Sequence, residues 1–211
     1  MIHDISLTLS PSLVSWRGED CFQLKKMYDM ANGDDCNVTK ICMSVHQGTH
    51  IDSPCHFLEN GATSESLSIE SMIGQCVVID VSSLDVSEIG KAHIEGCNLG
   101  ECRRVIFKTR NSHLWQTGAG RFDKDFVSLS LEAAEYLYKQ GVILIGIDYL
   151  SIEGFSSAEH DVHKLLLSND VIILEGLDLS NIKADCYELI CLPVKIAGSD
   201  GSPARAILRD L

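Results

Sequence analysis

Positive charge is scarce in this chain. Of 211 residues, 17 are Lys or Arg against 30 Asp or Glu, a formal net charge of −13. Such a surface repels phosphate backbones and anionic membranes, which argues against nucleic acid or a membrane as partner and for a small-molecule substrate. An anionic substrate would need a local positive charge, and a bound divalent cation supplies one. Long hydrophobic runs are missing too: none approaches the ~18 residues of a transmembrane helix. The start, Met1-Ile2-His3-Asp4-Ile5, lacks the basic-then-apolar pattern of a secretory signal. The nine cysteines contain no Cys-x-x-Cys pair, and their number is odd. Reduced thiols in the cytoplasm are the simplest expectation. Repeats, low-complexity tracts and Pro/Ser-rich linkers are absent as well, so residues 1–211 are expected to form a single domain. With 45% hydrophobic and 22% charged residues the chain should bury an ordinary core.

Several segments carry a strand signature. Ile5-Ser6-Leu7-Thr8-Leu9 alternates with period two, as does part of 38–45, which suggests a strand ending at His46. Residues 22–30 suit a strand or a helix. The turn signal Asn32-Gly33-Asp34-Asp35 would pair them with 37–46 as a hairpin. Apolar runs at 75–81, 104–109, 142–147, 171–174, 187–194 and 204–208 read as further strands, with Arg103-Arg104 as a solvated strand entry. Leu131 to Gln140 reads as a helix: Leu131, Ala134, Leu137 and Tyr138 share a face, Ser130 can cap it and Gly141 can end it. His160 or Asp161 to Ser168 reads as a second, short helix. Strands outnumber helices. The expected fold class is α/β, with a β-rich, partly barrel-like mixed sheet.

Five of the eight histidines fall into two clusters. The first is His46-Gln47-Gly48-Thr49-His50-Ile51-Asp52-Ser53-Pro54-Cys55-His56. Gly48, Thr49 and Pro54 argue against a helix here. In an extended segment His50 and Asp52 point the same way, and His46 can return across the turn to meet them. That gives a His, His, Asp set suited to zinc, manganese or iron. His56 could be a fourth ligand or a proton carrier beside the metal. In the second cluster Glu175 ends an apolar strand, a costly placement without a partner. His163 and His160 compete to join it, and Asp161 could orient either ring. One metal with spare acid–base groups, or two metals with bridging carboxylates, would both fit.

The first cluster resembles the H-x-G-T-H-x-D-x-P-x-H-F motif of the metal-dependent cyclase-like hydrolases, which include bacterial kynurenine formamidases (arylformamidases) and isatin hydrolases. Trp16-Arg17-Gly18-Glu19-Asp20 looks like the family's early aromatic segment. The spacing of His163 and Glu175, the run 187–193 and Gly201-Ser202-Pro203-Ala204-Arg205-Ala206 are also similar. The resemblance implies His46, His50, Asp52, His163 and Glu175 as metal ligands, with Asp52 and Glu175 bridging where two ions bind. It implies His56 in acid–base catalysis and Trp16 in the substrate pocket. It further implies a swivelling β/β/α fold and a homodimer or homotetramer. Proline, present in the formamidases, is missing from 148–154 and from position 17.

The expected activity is metal-dependent hydrolysis of a non-peptide C–N amide bond, in an aryl formamide such as N-formylkynurenine or in a cyclic amide. Zinc or manganese would shift the pKa of water towards about 7 and polarise the carbonyl. His56 would carry the proton. A lactone hydrolase or cyclase of the same family, and a metal-binding relative without turnover, are the alternatives. A cysteine hydrolase built on Cys55 is a poorer fit, because adjacent residues of an extended chain point apart. Trp115 and Arg110 are further pocket candidates by proximity to Gly118 and Gly120.

Overall fold

The computed structural model describes residues 1–18, 22–117 and 121–211. Glu19 and Asp20 of the early aromatic segment, Cys21, Gly118 and Gly120 lie outside the described residues. Twelve strands are present among those described: β1 Ile2–Asp4, β2 Gln23–Tyr28, β3 Val38–Cys42, β4 His50–Asp52, β5 Ile73–Asp80, β6 Glu88–Ile89, β7 Arg104–Lys108, β8 Ser128–Leu129, β9 Leu144–Ile147, β10 Ile172–Glu175, β11 Cys186–Pro193 and β12 Gly201–Asp210. The α-helices are α1 Ile69–Met72, α2 Leu114–Thr117, α3 Leu131–Lys139 and α4 Asp161–Ser168.

Seven strands close into a barrel in the order β12-β11-β5-β7-β9-β10-β4, with β4 returning to β12. β5, β7, β9 and β10 run parallel. Their runs Val77-Val78-Ile79, Val105-Ile106-Phe107, Leu144-Ile145 and Ile172-Ile173-Leu174 are buried throughout, as parallel strands covered on both faces must be. One set of side chains, Ile51, Val78, Ile106, Leu144, Leu174, Leu189 and Ala206 among them, fills the barrel. The alternate set packs with α3 and α4 on the outside. Ser130 caps α3 through the Ala133 N–H, and Gly141 follows with φ +81°.

Two elements differ from the sequence reading. The Ile5–Leu9 alternation gives no continuous strand: β1 ends at Asp4, and Ser6 makes a single bridge to Leu177. Side chains take the backbone donors, the Leu7 N–H bonding Thr49 Oγ1 and the Ser6 N–H bonding Asp4 Oδ1. β3 stops at Cys42, and His46 lies in the following turn. The β2–β3 hairpin does form, with every residue of the two strands exposed. Arg103 is exposed at the entry to β7, while the half-buried Arg104 does more than face solvent: its guanidinium donates to the carbonyls of Glu70, Ser71 and Gln75, tying α1 to β7.

Asp148, just past β9, is fully buried. It accepts from the N–H and hydroxyl groups of both Thr109 and Ser112, at 2.6–3.1 Å. Burial pushes its carboxyl up to about 6 against the pull of those four donors. Asp148→Ala would leave two buried N–H groups and two hydroxyl protons without their acceptor, an expected loss of at least ~3 kcal/mol. Denaturant unfolding of the variant measures it, and a change below about 1 kcal/mol would contradict this reading.

Candidate metal centre and active site

Strand register builds the centre. β4 is wedged between β10 and β12, so His50 lies opposite Glu175, and Asp52 opposite Ile173 and Gly201. His50 and Asp52 point to the barrel's outer side, while Ile51 between them enters the interior. The turn carrying His46 is held by Thr49, whose hydroxyl donates to the Gly176 carbonyl at 2.5 Å and accepts from the Leu7 N–H. Two glycines make that closeness possible. A Cβ on Gly176 would lie 2.1 Å from the Gly48 carbonyl oxygen, and one on Gly201 would lie 2.7 Å from the His46 ring. α4 lays His163 over the same spot.

The result is a convergent set of donors. Asp52 Oδ1 is 2.9 Å from His46 Nδ1 and 3.5 Å from His50 Nε2. Asp52 Oδ2 is 3.7 Å from His163 Nε2. Glu175 stands 3.3 Å from His50 Nε2 and 3.5 Å from His163 Nε2. His50, Asp52, His163 and Glu175 are all at most 4% exposed. Among the described residues, His50 Nε2 and both Asp52 oxygens make no well-aligned hydrogen bond, the 2.9 Å approach of His46 Nδ1 included. A buried carboxylate left so, ringed by imidazole nitrogens, fits a divalent cation of the zinc or manganese kind. The donor atoms of His50, Asp52 and Glu175 lie within 4.8 Å of one another, as do those of His46, Asp52 and His56.

The comparisons agree with this geometry. The profile of the family described as "Putative cyclase" matches residues 3–154. A kynurenine formamidase of Erythrobacter litoralis is 37% identical, over 100% of this chain and 94% of its own length. A solved structure described as a potential metal-dependent hydrolase with cyclase activity superposes with a TM-score of 0.85 at 31% identity, covering 99% of this chain and 96% of that one. The chain belongs to the cyclase family. An isatin hydrolase A of Labrenzia aggregata, at 24% identity and a TM-score of 0.83 over 99% of this chain and 93% of its own, shares the fold.

In this cyclase-family site two imidazoles are oriented from behind. His50 Nδ1 bonds the Gly48 carbonyl at 2.9 Å, and His163 Nδ1 bonds Glu153 Oε2 at 2.7 Å. Each therefore presents Nε2 to the centre. Glu153, not Asp161, supplies that carboxylate; Asp161 is exposed on the first turn of α4. Burial works against the charge on Glu153, but His163, Ser157 and the Val162 N–H hold its carboxyl at about 2. His163 and not His160 contacts Asp52 and Glu175 among the described residues. His160 is the N-cap of α4, its ring 4.9 Å from Phe57.

Burial alone would depress His50 and His163, but the charges of Asp52 and Glu175, joined at His163 by Glu153, outweigh it and push both up to about 10. The metal-free cluster therefore favours protonated imidazoles, which a divalent ion bound there would have to displace. A value raised above the unfolded 6.5 gives stability that is complete below pH 6.5 and lost as pH rises through 10. The melting temperature of the metal-free protein is therefore expected to fall across that window. Thermal scans test this, and a flat or rising profile would refute it.

His56 stacks on His46 with ring centroids 4.0 Å apart. Burial holds its pKa below the usual value, so the ring is neutral near pH 7. The cluster forms the floor of a cavity of about 590 Å³, a volume suited to a small molecule. Trp16, Phe57 and Phe155 give it aromatic walls, and Arg17 lines it too. Trp16 and Phe155 lie 5.7 Å apart, and the Arg17 guanidinium sits 5.1 Å above the Phe155 ring. Trp115 and Arg110 are elsewhere. Trp115 stacks on Tyr149 and donates to the Leu177 carbonyl, while Arg110 donates to the carbonyls of Val86 and Asp125. Cys55 is half-buried, its thiol facing the Ser199 carbonyl and raised by burial, which suits an inert side chain better than a nucleophile.

Proposed function

We propose that this protein hydrolyses the formyl amide of an aryl amine, with N-formylkynurenine as the model substrate, releasing formate and the free amine. It is a metal-dependent hydrolase of a non-peptide C–N amide bond. The observation that carries the proposal is the buried His50/Asp52/Glu175 group, whose His50 Nε2 and Asp52 oxygens lack well-aligned hydrogen-bond partners, beneath an aromatic-walled cavity lined by His50, His56 and Glu175. The name kynurenine formamidase, borne by full-length relatives, supports the substrate.

His46, His50, Asp52, His163 and Glu175 would hold one or two ions, zinc or manganese, with Asp52 and Glu175 shared where two bind. A divalent ion there supplies Lewis acidity, acidifying water and polarising the amide carbonyl. The other steps belong to side chains. Trp16, Phe57 and Phe155 hold the aryl group and exclude bulk water. His56 takes the proton from the attacking water and returns it to the departing nitrogen. Free thiols among the described cysteines support a cytoplasmic setting. No helix among the described residues is long and apolar enough to cross a membrane. Exposed Leu24, Met27, Tyr28 and Ile41 on the β2–β3 hairpin support a homodimer or homotetramer, which size-exclusion chromatography with light scattering tests.

The deciding experiment is metal analysis of purified protein, then hydrolysis of aryl formamides, cyclic amides and lactones with and without chelator. Chelator-sensitive release of formate from aryl formamides is expected. Turnover confined to lactones, or turnover indifferent to chelator, would overturn the proposal.

A further inference from the structure

One carboxylate at the site is claimed neither by the metal-ligand set nor by the acid–base step. Asp200 sits in the turn that leads into β12. Its Oδ2 is 3.0 Å from His46 Nε2 and 3.4 Å from His56 Nδ1. Its backbone is fixed independently of that side chain: the Ser53 N–H donates to the Asp200 carbonyl at 2.9 Å, and the Ser199 hydroxyl donates to the Gly201 carbonyl at 2.7 Å. Gly201 packs so closely on the His46 ring and the Ile51 carbonyl that no Cβ fits there. The carboxylate is therefore delivered to the two imidazoles by a rigid turn.

The consequence for His46 parallels what Glu153 does for His163. With Nε2 bonded to Asp200, His46 is left with Nδ1 facing Asp52, on the side of the metal centre. The consequence for His56 is a choice of nitrogen. A carboxylate beside Nδ1 favours the proton on that atom and leaves Nε2 free to accept one, the orienting role a third group plays behind a catalytic base. The geometry points to Asp200 as a positioning residue shared by His46 and His56, setting the orientation of a metal ligand and of the proton carrier through one oxygen. The kinetic half of this rests on the hydrolase reading, and the metal half does not.

Two readouts test it. Metal-stripped wild type, Asp200→Asn, Asp200→Ala and Asp200→Glu are titrated with Zn²⁺ against a chromophoric chelator at fixed pH. The zinc-saturated proteins are then assayed on N-formylkynurenine. Asp200→Asn is expected to weaken Zn²⁺ binding by about 10–100-fold. It is also expected to lower kcat about tenfold or more, as loss of an oriented base should, with KM within about threefold. Asp200→Glu should recover part of both, and the metal-free variants should remain cooperatively folded, which separates positioning from folding. Where Asp200→Ala does not fold, the near-isosteric Asp200→Asn carries the comparison. Zinc affinity and kcat both within twofold of wild type would overturn the inference, and a change in one alone would overturn the shared role. A wild type with no turnover on any aryl formamide would fail the hydrolase reading instead. The zinc titration would then decide for Asp200: weaker binding upholds its hold on His46, and unchanged binding overturns the inference.

Discussion

Replacing His56 by alanine or asparagine is expected to leave the metal complement intact while turnover falls by about 10²–10⁴-fold. The separation follows from placement. His56 stands at the edge of the cluster, its side chain 29% exposed to the cavity, whereas His50, Asp52, His163 and Glu175 are sealed beneath it. His56 Nδ1 faces Asp200, and burial keeps its imidazole neutral near pH 7, the state that can accept a proton from water. An aryl amine leaves poorly as an anion, so the same ring is needed to protonate the departing nitrogen. Metal analysis and steady-state kinetics on one preparation decide the matter. An ion lost together with activity would make His56 a ligand, and full activity in the variant would remove it from the reaction.

Asp52→Ala has the other large expected effect, loss of both metal and activity. Among the described residues, Asp52 is the one carboxylate in reach of three imidazoles, those of His46, His50 and His163. Removing it takes the central negative charge from a buried site. The remaining donors keep their orienting partners, but His46 then has no central carboxylate, and only Glu175 still faces both His50 and His163 among the described residues. Turnover should drop to the chelator-treated level, and the protein should elute without stoichiometric metal. The pH dependence should change as well. Asp52 helps to keep His50 and His163 protonated in the metal-free state, so its loss should flatten the decline in stability between pH 6.5 and 10. Retention of one tightly bound ion per chain would show that Glu175 and the histidines suffice alone.

The first cluster was legible because it is local. His46, His50, Asp52 and His56 fall within eleven residues, and Gly48, Thr49 and Pro54 dictate an extended loop. Glu175 announced itself as a carboxylate ending an apolar strand. Choosing His163 over His160 required the family resemblance, since both spacings serve; in the fold, His160 becomes the cap of α4 and His163 lies one turn inside it. Glu153 and Asp200 went unread. Their partners are 10 and 154 residues away, and Asp200 in Gly198-Ser199-Asp200-Gly201 looks like any turn aspartate. Glu153 left one usable signal: an acidic residue one position past Ile152, in a buried stretch following a barrel strand. The Ile5–Leu9 alternation misled because side-chain acceptors satisfied the backbone locally. A partly barrel-like sheet and an extended 50–52 were both legible, but not that so short a strand pairs with β10 and β12 at once and closes the barrel.

β4 has only three residues, and they span the gap between β10 and β12. Two of the three, His50 and Asp52, also belong to the candidate metal centre. The keystone of the architecture and the cation's cradle are therefore one object. Stripping the ion should loosen the folded molecule along that seam first, so that amide protons of residues 50–52 exchange earlier in the metal-free protein than in the loaded one.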